Sequence, residues 1–462
     1  MSTLSESINS YLIQEEEVNE EALSNASLAF LDAYGCILGA SSDDRALKFA
    51  LPFEFNHDKE IHPFQLVEDF SSEVEVARYL GTLVRWHDYN DTFLAKEWAH
   101  PSDNIGGVWS SVSQYLTEPK MKDVFVGLIK SYEIQGSLAL GTSLNQKGYD
   151  HVFYVKLATA AFVSSIIPSS TDSTIIRTIN NVLNDGLNLR AYRHEPNVGR
   201  RKSWAAGDAT ARGLWLAQIS SHDDNEYYSV QNESSWGFEK VYLNNENLVL
   251  GKPLNDWVIK NILYKVSYPA EFHGQSAIEA AVLLHPLFKE KSDEIKEIIV
   301  ETQEPALRII SKTGLLENES ARDHCLEYMV SVALLDGKVT SDSYRDDYER
   351  IKEVEELRKK FKTIENKNYT KDYYDIEKRH IANKVSFKYT DDSFSEEKEV
   401  LYPIGHPARR EEAIPLLKQK FINNCSKFHS KNFSIDLWNK TLSNEFTEKS
   451  LQDFLQYILN NE

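Results

Sequence analysis

Cysteine is scarce in this chain: there are three in 462 residues, Cys36, Cys325 and Cys425, far apart and with no C-x-x-C pair. That spacing gives no disulfide framework and fits a reducing compartment. Three thiolates would suffice for an iron–sulfur cluster, but Cys36 lies inside an apolar helical pattern where buried structural thiols are common, so no cluster is expected. Basic charge is also in deficit. The formal net charge of −20 argues against nucleic acid or an anionic membrane as a partner. No apolar run approaches the ~20 residues needed to span a bilayer. The opening stretch MSTLSESINSYLIQEEEVNEEAL has neither the basic and apolar regions of a secretory signal nor the arginines of a transit peptide, so a cytoplasmic protein is expected. The metal-ligand patterns H-x-x-x-H, H-x-x-E-H and C-x-x-C are missing, and no metal site is expected. Internal repeats and low-complexity tracts are absent as well.

What the chain does have is a dense stretch of chemistry at 85–107, RWHDYNDTFLAKEWAHPSDNIGG. His87, Asp88, Asp91, Thr92, Lys96, Glu97, His100, Ser102 and Asp103 crowd together here, broken by aromatics. A solvated helix would instead alternate Glu and Lys along one face. His100-Pro101-Ser102-Asp103 leads into the periodic residues Ile105, Val108, Val112 and Tyr115, which predicts a helix capped by Ser102 or Asp103. Gly106 and Gly107 let a ligand or a neighbouring backbone approach the first turn, and a helix N-terminus favours an anion such as a carboxylate. Composition leaves two readings open, the wall of a site or a buried structural network.

The length predicts two domains. Up to about residue 264 the pattern is helical, with wide apolar faces: Leu28, Leu31, Tyr34 and Leu38 recur at helical spacing, as do Phe125, Leu128, Tyr132 and Leu138, and 151–167 forms a third candidate helix. Glu133 and Gln135 are expected to face solvent. His151 follows Asp150 at a helix start, where the dipole disfavours a protonated ring and suits a neutral base. The run RRKSW at 200–204 precedes an Ala/Gly-rich helix, so at least one of its cations should point inward. Residues 223–248 read as a long connection with a short hairpin, and a helix from 275 should stop at Pro286. Lys265, Glu271 and His273 fall at the expected domain boundary, a common place for a pocket. Beyond it, alternation at 297–302 predicts a strand, 344–365 a charged solvated helix, and 385–402 a β-hairpin. The helical period returns at Ile414 and ends in an amphipathic helix around Leu451, Phe454, Leu455 and Ile458. The predicted fold is mainly α: a large all-helical domain over 1–264, completed by 419–462, plus a smaller α+β lid domain over 265–418.

RWHDYNDTFLAKEWAHPSDN resembles the Asp-rich segment of the MmgE/PrpD (2-methylcitrate dehydratase) family, in which Asp-x-x-Asp-Thr is followed by His-Pro-Ser. YEIQGSLAL with DHVFYVKLATAA, RKSWAAGDATARGLWLA, KVSYPAEFHGQSAIEAA, ARDHCLEYMVSVALLDGKVT and YPIGHPARREEAIPLLKQKF resemble the same family's motifs, in the same order. The resemblance implies a cofactor-free, homodimeric hydro-lyase acting on a small tricarboxylate. It assigns Asp88, Thr92, His100 and His151 to catalysis, with one histidine taking the proton and the other assisting at the hydroxyl. Lys202, Lys265 and Tyr328 would bind substrate, with His273, Arg322 and Asp91 in a secondary tier; His406 and Arg409 lie in a loop that either closes over the site or is a structural turn. Decarboxylation of cis-aconitate, epimerisation of an aspartate derivative and a non-catalytic binding role are the competing readings. Two departures bear on these. Asn90 stands where many members have Asp, and the spacing from Thr92 to His100 is longer than in the decarboxylase branch.

Overall fold

The computed structural model describes residues 3–14, 18–51, 61–168, 170–194, 198–222 and 230–461. The chain divides into two units, one formed by Met1–Tyr192, Arg201–Leu263 and Lys418–Glu462 and the other by Arg193–Arg200 and Tyr264–Leu417. The architecture is mainly α, with a small α+β region in the second unit.

In the first unit, helix Arg201–His222 packs against Glu73–Arg85 and Val152–Ile166, and Glu73–Arg85 packs in turn on Ile105–Tyr115. These contacts are close because the facing residues are small. A Cβ on Gly106 would lie 2.2 Å from the carbonyl oxygen of Ala77, and one on Gly207 would lie 2.6 Å from that of Arg78. The close approach at Gly106 therefore serves a neighbouring helix. With helices on several sides, the amphipathic reading of Met121–Gly141 fails: Glu133 and Gln135 are buried, not solvated. The Glu133 carboxylate accepts the backbone N–H groups of Asn255 and Val258, and Gln135 accepts from Asn104 at 2.5 Å. Helix Ile105–Tyr115 is entered through a 3-10 turn, Pro101–Asn104, with Asn104 as its N-cap and no side-chain cap bond. Ser102 and Asp103 are occupied elsewhere.

The second unit holds four strands in the order β2-β1-β3-β4: β1 (Ile295–Thr302), β2 (Phe361–Glu365), β3 (Asn383–Tyr389) and β4 (Lys398–Val400). β1 runs parallel to β2 and antiparallel to β3, and β3 and β4 form the expected hairpin. Helices Gln275–Lys291 and Leu326–Asp336 pack together over an apolar core that includes Ile298, Val300, Val385 and Phe387. The 344–365 segment is not one helix but a short helix, Ile351–Arg358, followed by β2. Helix Gln275–Lys291 continues through Pro286. In the 223–248 connection, residues 223–229 lie outside the described residues, and the remainder forms helix Phe238–Tyr242 with no strand. No described helix is long and apolar enough to cross a membrane.

Within the first unit, the C-terminal segment meets Tyr34 of helix Glu20–Ser41 at a buried pair of histidines, His62 and His429. The Tyr34 hydroxyl lies 3.2 Å from His62 Nε2 and 3.4 Å from His429 Nε2. Burial, and then the neighbouring His429, push the His62 ring down to about 3 from its ordinary 6.5. The unfolded chain binds this proton below pH 6.5 and the folded protein does not, so the stabilisation is complete above pH 6.5 and is lost as pH falls toward 3. At pH 5 the expected loss is about 2 kcal/mol. Urea unfolding at pH 7 and pH 5 checks this. The drop should be smaller by about that amount in His62→Gln, and an equal drop in both proteins would contradict it.

Candidate active site

Four element ends of the first unit converge: the last turn of Glu73–Arg85, the 3-10 turn Pro101–Asn104, the start of Val152–Ile166 and the start of Arg201–His222. Two helix N-termini and a short polar loop suit an anion. His100 precedes the 3-10 turn, His151 is the N-cap residue of Val152–Ile166, and Lys202 is the second residue of its helix. All three are at least 95% buried.

The two histidine rings face each other with centroids 5.5 Å apart and planes tilted by 52°. His100 Nδ1 lies 2.9 Å from the carbonyl oxygen of Asp91, and its Nε2 lies 3.1 Å from an Arg85 Nη atom. His151 Nε2 is 3.8 Å from Asp150 Oδ1. Asp88 has a left-handed backbone, with φ of 50°. Few residues adopt that conformation without cost, and Asp tolerates it better than most. The turn brings its carboxylate back onto Arg85, to which it is hydrogen-bonded, and to 3.9 Å from Lys202 Nζ. Asp103 lies 3.9 Å from Arg85 Nε. Two buried cations thus face two buried carboxylates around the histidine pair.

Asp91 supports this group from behind. Its carboxylate accepts the Ser102 N–H at 3.0 Å and the Tyr132 hydroxyl at 2.8 Å. Burial pushes its carboxyl up to about 6, with Asp32 adding to the rise while the bonds from Ser102 and Tyr132 oppose it. Asn90 donates its amide to Ser102 Oγ at 2.8 Å and to Asp103 Oδ1 at 3.1 Å. An Asp at that position would set one carboxylate against another, so the departure at Asn90 matches Asp103 in this chain. The Thr92 hydroxyl donates to the Ala99 carbonyl at 2.9 Å and closes the loop that carries His100. Glu97, which burial pushes up to about 7, accepts the N–H groups of Leu144 and Asn145, linking the 85–107 stretch to the loop that leads to His151.

Of the basic run at 200–204, only Lys202 is buried among the cations. The Arg201 guanidinium stacks over Trp204, and Arg200 pairs with Glu319 within the second unit. Within that unit, Lys265 is fully buried. His273 bridges two groups, with Nδ1 2.7 Å from Glu271 and Nε2 3.0 Å from the Tyr373 hydroxyl. Burial alone would raise the Glu271 carboxyl, but His273, His324 and Lys265 together hold it below its usual range. Tyr328 donates to the Ser343 carbonyl, while Arg322 donates to the Tyr344 carbonyl and the Asp346 carboxylate. His406 caps the turn Pro407–Arg409, and Arg409 pairs with Glu279. A cavity of about 740 Å³ in the same unit is lined by Asp336, Tyr348 and Arg350 and contains none of the residues singled out from the sequence.

Sequence reasoning missed Arg85. The signal was its place three residues before Asp88, at the end of a helix whose neighbouring positions Leu83 and Val84 are apolar. It also missed Lys420, whose ammonium bonds the buried Asp32 carboxylate and the Tyr89 carbonyl beneath the stretch.

The sequence profile of the MmgE/PrpD N-terminal domain matches residues 4–250, and that of the MmgE/PrpD C-terminal domain matches 268–436. A protein of Yarrowia lipolytica named 2-methylcitrate dehydratase, mitochondrial, is 39% identical over 87% of this chain and 79% of its own length. The 2-methylcitrate dehydratase of Escherichia coli (strain K12) is 41% identical over 77% of this chain and 75% of its own. That of Salmonella typhimurium is 38% identical over 90% of this chain and 89% of its own. Profiles matched across both units and identity of this extent establish that the chain belongs to the MmgE/PrpD family.

Proposed function

We propose that this enzyme is a hydro-lyase that dehydrates 2-methylcitrate to 2-methyl-cis-aconitate, a step of the methylcitrate cycle of propionate catabolism. The observation that carries the reading is the facing pair His100 and His151, buried among Asp88, Arg85 and Lys202 in a chain whose relatives bear that name.

The proton on the methyl-bearing carbon is weakly acidic, and its removal places charge on the adjacent carboxylate. That demands a base and a cation or strong donor where charge develops. A histidine takes the proton, the C–H electron pair becomes the second bond of the alkene, and the hydroxyl leaves as water on gaining one proton. One proton leaves carbon and one joins the hydroxyl, so the reaction is redox-neutral. Lys202 stands at a helix N-terminus as the first unit's carboxylate-binding cation, and Asp88 orients it. Thr92, whose proton is given to Ala99, meets substrate through its oxygen lone pairs. In the second unit, Lys265 and His273 are assigned to substrate carboxylates from their motif positions, and Arg322 and Tyr328 brace the 341–346 segment. Citrate, lacking one methyl, is a weaker substrate by about 1–3 kcal/mol. The enzyme acts as a cytoplasmic homodimer, which sedimentation and fractionation check.

Mass spectrometry after incubation with separated 2-methylcitrate stereoisomers, and with cis-aconitate, tests the reaction. Loss of one water from one methylcitrate isomer is expected. Loss of carbon dioxide from cis-aconitate with methylcitrate unchanged would contradict it.

A further inference from the structure

We propose that Arg85 is a positioning residue that holds His100 as the neutral Nδ1–H tautomer with its Nε2 lone pair committed, so that the substrate's proton goes to His151. The inference rests on the dehydratase reading for its consequence, whereas the state of the His100 ring follows from its neighbours alone.

A backbone carbonyl only accepts, so the 2.9 Å contact between His100 Nδ1 and Asp91 O requires the proton on Nδ1. A guanidinium only donates, so the 3.1 Å contact with Arg85 requires a lone pair on Nε2. Both ring nitrogens are thereby used in the neutral form. A proton added at Nε2 would turn that contact into two N–H groups facing each other, beside a permanent positive charge.

Arg85 is well held for this task. It occupies the last turn of helix Glu73–Arg85, where the dipole favours a cation, and Asp88 and Asp103 lie on its other nitrogens. Its side chain is 2% exposed, too buried to swing into water. His151 differs in both respects. It sits at a helix start without using its ring as a cap, and a neighbouring carboxylate, that of Asp150 at 3.8 Å, stabilises the imidazolium that proton uptake creates. Among the described residues, the charged groups around the pair within the first unit include Arg85, Asp88, Asp91, Asp103, Asp150 and Lys202. Of these, Arg85 is the one placed in hydrogen-bonding contact with His100 Nε2, at 3.1 Å.

The test is nitrogen-15 NMR of histidine-labelled full-length protein, with the His100 signals assigned by their loss in His100→Gln. The wild-type ring should keep the neutral Nδ1–H pattern from pH 8 to pH 5. An Nε2–H tautomer, or an imidazolium appearing in that range, would overturn the proposal. This readout does not depend on turnover, so it separates failure of the proposal from failure of the dehydratase reading. In Arg85→Lys, whose single ammonium cannot reproduce the guanidinium fork, His100 should acquire a titration between pH 5 and 8. kcat should fall at least tenfold with KM changed less than threefold, and the acid limb of kcat/KM should gain a second ionisation. A folded Arg85→Lys enzyme with the wild-type ring pattern and pH profile would also overturn it. If that variant does not fold, the wild-type spectrum still decides.

Discussion

Replacing His151 by alanine is expected to lower kcat by between about 10² and 10⁴-fold, the range that a positioned proton acceptor supplies, while KM changes little. The position explains the separation. His151 is the N-cap residue of Val152–Ile166, yet its side chain makes no capping bond; the Asp150 carboxylate takes the Val152 N–H at 3.1 Å instead. The helix start is thus preserved when the imidazole is removed. The cost to stability is that of a small cavity at a 4% exposed site, about 1–3 kcal/mol. Steady-state kinetics together with thermal unfolding check the prediction. A folded variant within threefold of wild-type turnover would remove His151 from the mechanism.

The second large effect concerns charge. Lys202→Met keeps an unbranched chain of similar volume, so packing beside Ala205 and Ala206 should survive. It removes an ammonium 3.9 Å from Asp88 and, on the proposed role of Lys202, one charge-assisted bond to a substrate carboxylate, which is worth about 1.5–3 kcal/mol. The expected fall in kcat/KM is about 10²-fold, with KM for 2-methylcitrate raised. Lys202→Arg should recover only part of it, because a planar fork does not fit a site built around a point charge. Unchanged kcat/KM in Lys202→Met would exclude this residue as a carboxylate ligand.

Much of this arrangement is legible in the sequence where one periodicity dominates. Strand β1 alternates in burial as Glu297, Ile299 and Glu301 alternate with Ile298, Val300 and Thr302. Gly337 marks the end of Leu326–Asp336 by taking the left-handed conformation there. Reading fails where a residue's surroundings come from distant parts of the chain. Glu133 and Gln135 look solvated because polar side chains usually are, but their partners, Asn255, Val258 and Asn104, arrive from other segments. The charged run at 344–365 hides β2, whose half-buried Phe361, Thr363 and Glu365 alternate with exposed Lys362 and Ile364 too briefly to outweigh the neighbouring Lys and Glu residues. Ser102 and Asp103 have the chemistry of helix caps, yet Asn90 engages both. The polar residues of the candidate site stand out in the 85–107 stretch, but Arg85 does not, because what makes it informative is which nitrogen of His100 it meets.

The central claim is that the carbon-bound proton beside a carboxylate is removed and the neighbouring hydroxyl leaves as water. 2-Methylcitrate carrying deuterium on the methyl-bearing carbon tests it most directly, with the product examined by NMR and mass spectrometry. The account predicts an alkene that has lost that deuterium together with one water. Deuterium retained in the product, or substrate consumed without loss of water, would contradict it.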